Sequence, residues 1–143
     1  MAYDKVVPDS SVVIKWFSDE DGTDKALAIR EGYINGKIEI VVPDLLLYEI
    51  ANALRYNKSL ETKDVKEAVD SIIKLGIDII VPTKEVIDSA ISFAFEYNIT
   101  VYDAYFLSLA SLLKFVCVTA DEKLYNKVKS LGFVVLLKDV KVA

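Results

Sequence analysis

The chain has 143 residues and a net charge of −5, from 17 Lys and Arg against 22 Asp and Glu, with no histidine and one cysteine. Those counts exclude His-based acid–base catalysis, Ser–His–Asp triads, intramolecular disulfides and zinc sites built on His or Cys. An isoelectric point near 4.8 also argues against a nonspecific, charge-driven nucleic-acid binder, because such proteins are usually strongly basic.

No internal repeat, low-complexity stretch or Gly/Ser/Pro linker interrupts the sequence, so residues 1–143 read as one domain. Met1 to Lys5 lacks the basic-then-apolar pattern of a secretory signal. A first apolar run, Lys5–Pro8, predicts a buried strand, and Asp9 can cap a helix running through Trp16. A helix from Thr23 to Asn35 ends at Gly36, and a second strand is expected at Ile38–Val42. Asp44 then reads as the cap of a helix that contains Glu49. In Lys63–Leu75, apolar residues fall at Val65, Ala68, Val69, Ile72 and Ile73, the stripe of a helix with one buried face. Thr62 can cap its start and Gly76 its end. A strand at Ile77–Val81 is followed by a Thr83-capped helix, Lys84–Tyr97. The most apolar region, Ile99 to Ala120, is broken by Asp103 and Lys114, so it cannot supply a charge-free membrane span of about 18 residues. It ends in a strand at Phe115–Thr119, followed by a helix over Glu122–Leu131 that stops at Gly132, and a last strand at Phe133–Leu137. The strands mostly lack polar alternation, as strands covered on both faces do. Strands alternating with helices predict an α/β fold with a parallel sheet and helices on both faces, and ligands beside the carboxyl ends of the strands. A cytoplasmic location is the default expectation. A mean hydropathy of +0.33 fits either a large core or apolar surface covered by a partner.

Four carboxylates stand out. Asp9 is the only charge between Val6 and Ile14, Glu49 between Leu45 and Leu54, and Asp103 between Ile99 and Leu113; Asp121 directly follows Phe115–Ala120. Burying a lone carboxylate is costly unless it is paired, hydrogen-bonded or bound to metal. Asp9, Asp103 and Asp121 also sit where helix caps belong, whereas Glu49 lies inside its helix and is no cap. If the four converge, two carboxylates about 5 Å apart repel by roughly 3 kcal/mol at an effective dielectric of 20. A cation between them removes that cost, and an all-oxygen ligand set selects Mg²⁺ or Mn²⁺.

The surrounding motifs resemble those of PIN-domain nucleases, specifically the VapC-type toxins of toxin–antitoxin modules. Val7-Pro8-Asp9-Ser10-Ser11-Val12-Val13-Ile14-Lys15-Trp16-Phe17 resembles the opening of that family. Tyr48-Glu49-Ile50-Ala51-Asn52-Ala53-Leu54 resembles its second acidic motif, Tyr102-Asp103-Ala104-Tyr105-Phe106-Leu107-Ser108-Leu109-Ala110 the third, and Val118-Thr119-Ala120-Asp121-Glu122-Lys123-Leu124 the fourth. The resemblance implies a three-layer αβα sandwich around a central parallel five-stranded sheet. It implies an Mg²⁺- or Mn²⁺-dependent endoribonuclease whose catalytic and metal-ligating residues are Asp9, Glu49, Asp103 and Asp121. Asp9 and Asp103 would be the principal ligands, with Thr119 hydrogen-bonding the carboxylates or their waters. It further implies an RNA substrate, a homodimer, and a cognate antitoxin laid over the site.

Other positions carry two readings. Ser10 and Ser11 either contact a phosphate or stabilise a first helical turn. Asn52, one turn after Glu49, can orient it. Lys15 faces phosphate or solvent. Arg55, Lys58, Lys123, Lys127 and Lys129 form a basic rim or, for the last three, a solvated helix face. Trp16, Tyr48 and Tyr102 stack on bases or belong to a core or interface. Two other functional classes compete: an aspartate phosphoryl-transfer domain of receiver or haloacid-dehalogenase type, and a non-catalytic interaction module on the same scaffold. Ser11 stands where an Asp-x-Asp nucleophile motif has its second Asp, which counts against the first.

Overall fold

The structure is a computed structural model that describes residues 3–141. Five strands form one parallel sheet: β1 (Lys5–Pro8), β2 (Glu39–Pro43), β3 (Asp78–Ile80), β4 (Val116–Thr119) and β5 (Val134–Leu136). Their order across the sheet is β3-β2-β1-β4-β5. Every pair is parallel, with Val7 opposite Cys117 and Pro8 opposite Val118 at the centre. The helices are α1 (Ser10–Val13), α2 (Thr23–Ile34), α3 (Leu45–Arg55), α4 (Thr62–Lys74), α5 (Lys84–Tyr97), α6 (Val101–Leu113) and α7 (Glu122–Val128). They flank the sheet in the three-layer αβα arrangement. β1 has the expected limits, and those of the other four strands differ from the sequence expectation by at most one residue, within the usual uncertainty at frayed ends.

The core follows from the apolar runs. Val6, Val7, Ile40, Val42, Cys117 and Val118 are buried in the strands. The α6 helix is buried continuously from Ala104 to Ala110 and packs on β1, β2 and β4. That environment explains why it is the most apolar helix of the chain. Within it the fully buried Ser108 hydroxyl donates to the Val86 carbonyl at 2.7 Å, so that polar atom is not stranded. Gly36 and Gly76 adopt left-handed φ angles of 75° and 76° just beyond α2 and α4, the helix stops their positions predicted. Among the described residues, no helix is long and apolar enough to cross a membrane.

Three expected caps are corrected. Glu61, not Thr62, caps α4, through a reciprocal capping box with Asp64. Asp44 precedes α3 but makes no side-chain cap bond; its carboxylate instead accepts from the Tyr105 hydroxyl at 3.1 Å. Asp103 does not cap α6. Thr100 does, accepting from the Asp103 backbone N–H at 3.0 Å. A Thr three residues upstream satisfies that amide, which leaves the Asp103 carboxylate free for another role.

Candidate metal centre

The strand order reverses beside β1: the chain steps outward through β2 and β3, then returns to place β4 on β1's other side. Loops leaving adjacent strands on opposite sides of such a switch point open a crevice. Asp9 leaves β1 and Asp121 leaves β4 there. The two loops are tied together, with the Asp9 N–H donating to the Val118 carbonyl at 3.0 Å.

Asp9 is only 7% exposed. One of its oxygens accepts from the backbone N–H of Ser11 at 3.0 Å, so it does cap the short helix α1, and it also accepts from the Ser11 hydroxyl. That hydroxyl accepts in turn from the Ala120 N–H at 2.8 Å and lies 3.3 Å from the Thr119 hydroxyl. Thr119 is fully buried and accepts from the Asp121 N–H at 3.1 Å. Ser11, expected only to contact phosphate or steady a helical turn, thus bridges the β1 and β4 loops. Burial pushes the Asp9 carboxyl up to about 6 from 3.8; hydrogen bonds from Ser11 and Thr119 oppose the rise, and the Asp103 charge adds to it.

Glu49 reaches the region from α3. Its Oε1 accepts from the Ser10 hydroxyl at 2.7 Å. Its carboxyl is raised, first by burial and then by the Asp103 charge, against the Ser10 bond. Asp103 is raised by burial and by the charge of Asp121, and lowered by its bond within the Thr100 cap and by Lys127. Asp121 caps α7, one oxygen accepting from the Leu124 N–H at 3.0 Å. Asp103 is therefore the electrostatic hub, coupled to each of the other three acids. Beneath them, burial and the charges of Asp9 and Asp103 hold the Cys117 thiol protonated.

Among the described residues, none of the four carboxylates forms an ion pair with Lys or Arg. As the side chains stand, no three acidic groups among the described residues are close enough to ligate one ion: Ser10 draws Glu49 toward α1, while Asp103 and Asp121 share a cleft of their own. The donor chemistry fits a hard divalent cation, since it is all oxygen and includes a buried carboxylate with no cationic partner.

The flanking positions divide. Asn52 is exposed and lines a separate groove with Tyr48 and Arg55, while Glu49 is held by Ser10 rather than by Asn52. Trp16 is core, its indole N–H donating to the Ala26 carbonyl at 2.8 Å. Tyr48 and Tyr102 are exposed. Lys15 is paired with Glu20 at 2.8 Å. Arg55 lies over the Tyr56 ring, 5.3 Å from its centroid. The Tyr105–Asp44 bond was not anticipated, because Tyr105 lies in a run of apolar residues that reads only as core.

Comparisons with known proteins bear on the fold and the family. No curated protein matches the sequence significantly. Among solved structures, the chain resembles a toxin–antitoxin complex from Klebsiella pneumoniae at 15% identity, with a TM-score of 0.67 over 92% of this chain and 97% of that one. It also resembles VapC20 from Mycobacterium tuberculosis, a sarcin-ricin-loop-cleaving toxin, at 12% identity, with a TM-score of 0.67 over 90% and 96%. PAE2754 from Pyrobaculum aerophilum is similar at 22% identity, with a TM-score of 0.66 over 96% and 92%. These likenesses establish a shared fold. The sequence model of the PIN domain matches residues 6–130, a span that contains all four acids and the whole switch-point crevice, and the chain therefore belongs to the PIN domain family.

Proposed function

We propose that this protein is an Mg²⁺- or Mn²⁺-dependent endoribonuclease, the toxin component of a VapC-type toxin–antitoxin pair. One observation carries the reading: four carboxylates from distant segments are electrostatically coupled at the β1/β4 switch point without an ion-pairing Lys or Arg. A site that only stabilised the fold would gain from neutral or paired groups there. Asp9 and Asp103 would be the principal ligands, and Glu49 and Asp121 would complete the set. When bound, such an ion supplies Lewis acidity toward a phosphodiester and lowers the pKa of water, which serves a chain without histidine.

The remaining groups position these acids. Ser11 and Thr119 hold the Asp9 and Asp121 loops against each other, and Ser10 holds Glu49. The Thr100 cap fixes the first turn of α6 and so the origin of the Asp103 side chain. An antitoxin and a second copy of the chain are the partners this reading expects. Exposed Tyr48, Tyr102 and Phe95, the last 87% exposed, are apolar surface of the kind such partners cover. The toxin–antitoxin complex among the structural relatives supports an antitoxin partner.

The test is cleavage of RNA by the purified protein. Cleavage that EDTA abolishes, that Mn²⁺ or Mg²⁺ restores, and that Asp103→Asn lacks is the expected result. Cleavage that survives exhaustive chelation, or no cleavage of any RNA with either ion, overturns the reading.

A further inference from the structure

Beside the acids, α7 and the turn between α5 and α6 border an open cleft of about 410 Å³. Asp103 and Asp121 border it with Thr100, and so do Lys123 and Lys127. The two lysines are four residues apart on α7 and so share one face of the helix. Like charges at that spacing oppose helix formation. Among the described residues, neither lysine is in an ion pair with a carboxylate, although Asp and Glu outnumber Lys and Arg. Lys127 is held in place: its Nζ donates to the Asn98 carbonyl at 2.9 Å. Asn98 ends α5 in the left-handed conformation, φ 53° and ψ 55°, which orients that carbonyl at the turn. One ammonium proton is used, and two remain as donors. Lys127 lines the same cleft as Asp103 and Asp121, so its free donors open onto the space beside the acids.

We propose that this cleft is a phosphate subsite: Lys123 and Lys127 seat a backbone phosphate of the RNA next to the one that is cut. The proposal rests on the nuclease reading and deepens it. An anionic strand approaching a protein of charge −5 needs a local attraction at the place where it must dock. Two cations that line the same cleft as Asp103 and Asp121, neither in an ion pair with a carboxylate among the described residues, supply it. The alternative role for the lysines is to damp the charge of the acidic cluster, and the two roles separate by substrate. A flanking phosphate exists in RNA but not in bis(p-nitrophenyl) phosphate, a single diester that reports only on the hydrolytic centre.

The test compares the wild type, Lys123→Ala/Lys127→Ala, Lys127→Ala and Lys127→Arg at saturating Mn²⁺. Lys74→Ala is the charge control; Lys74 ends α4 and lies with Lys5 and Glu39 near the amino ends of the strands. The substrates are a labelled single-stranded RNA and the small diester. In the double variant the KM for RNA is expected to rise by about tenfold, and the salt dependence of RNA binding to weaken by about one unit of slope. That loss should exceed any change on the small diester by at least about fivefold. Lys127→Arg should recover most of the loss of Lys127→Ala, and Lys74→Ala should behave as wild type. An unchanged KM for RNA overturns the subsite and leaves the nuclease reading standing. Equal losses on both substrates do the same and assign the lysines to charge damping. A wild type that cuts neither substrate overturns the nuclease reading and the subsite with it.

Discussion

The Ser10 hydroxyl donates to Glu49 Oε1 at 2.7 Å, joining the first turn after β1 to the middle of α3 across 39 residues of chain. The bond sets where Glu49 points, and Glu49 is already raised by burial and by Asp103. Ser10→Ala should cut RNA cleavage by about tenfold, the equivalent of roughly 1.4 kcal/mol. Stability should change by no more than about 1 kcal/mol, because Glu49 is only partly buried. Steady-state kinetics beside urea titration separate the two effects, and an unaltered kcat/KM would remove Ser10 from the site.

Asp103→Asn should abolish cleavage while leaving the fold intact. Thr100, not Asp103, caps α6, so the substitution removes no cap. It does remove the charge that raises both Asp9 and Glu49. The metal-free variant should therefore melt at the same temperature as wild type or slightly above it. A drop of many degrees in Tm would mark Asp103 as structural.

The buried Asp9 gives a pH dependence of definite sign. Its carboxyl titrates at about 6 in the folded protein, against 3.8 for the free group. Between those values the folded chain holds a proton that the unfolded chain releases, so stability falls as pH rises through the window from about 4 to 6. The loss from this group is about 3 kcal/mol, complete above pH 6. Urea titrations of EDTA-treated protein should show this slope in wild type and a flatter one in Asp9→Asn, which keeps an oxygen to cap α1. A wild-type profile that matches the variant across the window would refute it.

Divalent metal should stabilise the protein, since a cation among coupled carboxylates favours the folded state by mass action. Millimolar Mn²⁺ is expected to raise the Tm of wild type by several degrees and that of Asp103→Asn by less. Equal responses in scanning calorimetry would detach the effect from this site.

Tyr105 fixes α6 against the end of β2 by donating to Asp44 and, at 3.3 Å, lying near the Ile80 carbonyl. Tyr105→Phe should cost about 1 kcal/mol, as for a typical hydrogen bond to a partly solvated carboxylate. Denaturant unfolding measures it, and a neutral result would show that water replaces the hydroxyl fully.

Much of this was legible in the chain itself. The apolar runs of β1, β2 and β4, the stripes of α4 and α5, and four isolated acids are local patterns, and local patterns survive in sequence because side-chain period and lone charges need no partner to be seen. The caps of α4 and α6 were misplaced by one and three residues, since Thr, Asp and Glu near a helix start compete for the same few amides. Asn52 was placed toward Glu49 by helical spacing, which says which residues are near but not which way a side chain is drawn.

The sequence by itself determined the alternation of strand and helix, the absence of histidine chemistry, and the isolation of four acids in apolar surroundings. Only the tertiary structure decided that β4 returns beside β1, that Asp103 is the acid to which the other three are coupled, that Ser11 ties two loops separated by more than a hundred residues, and that Lys127 leans on Asn98 beside the site. Those relationships join residues distant in the chain, and the free energy that selects them comes from burial of the whole sheet and its helices, which no local window of sequence contains.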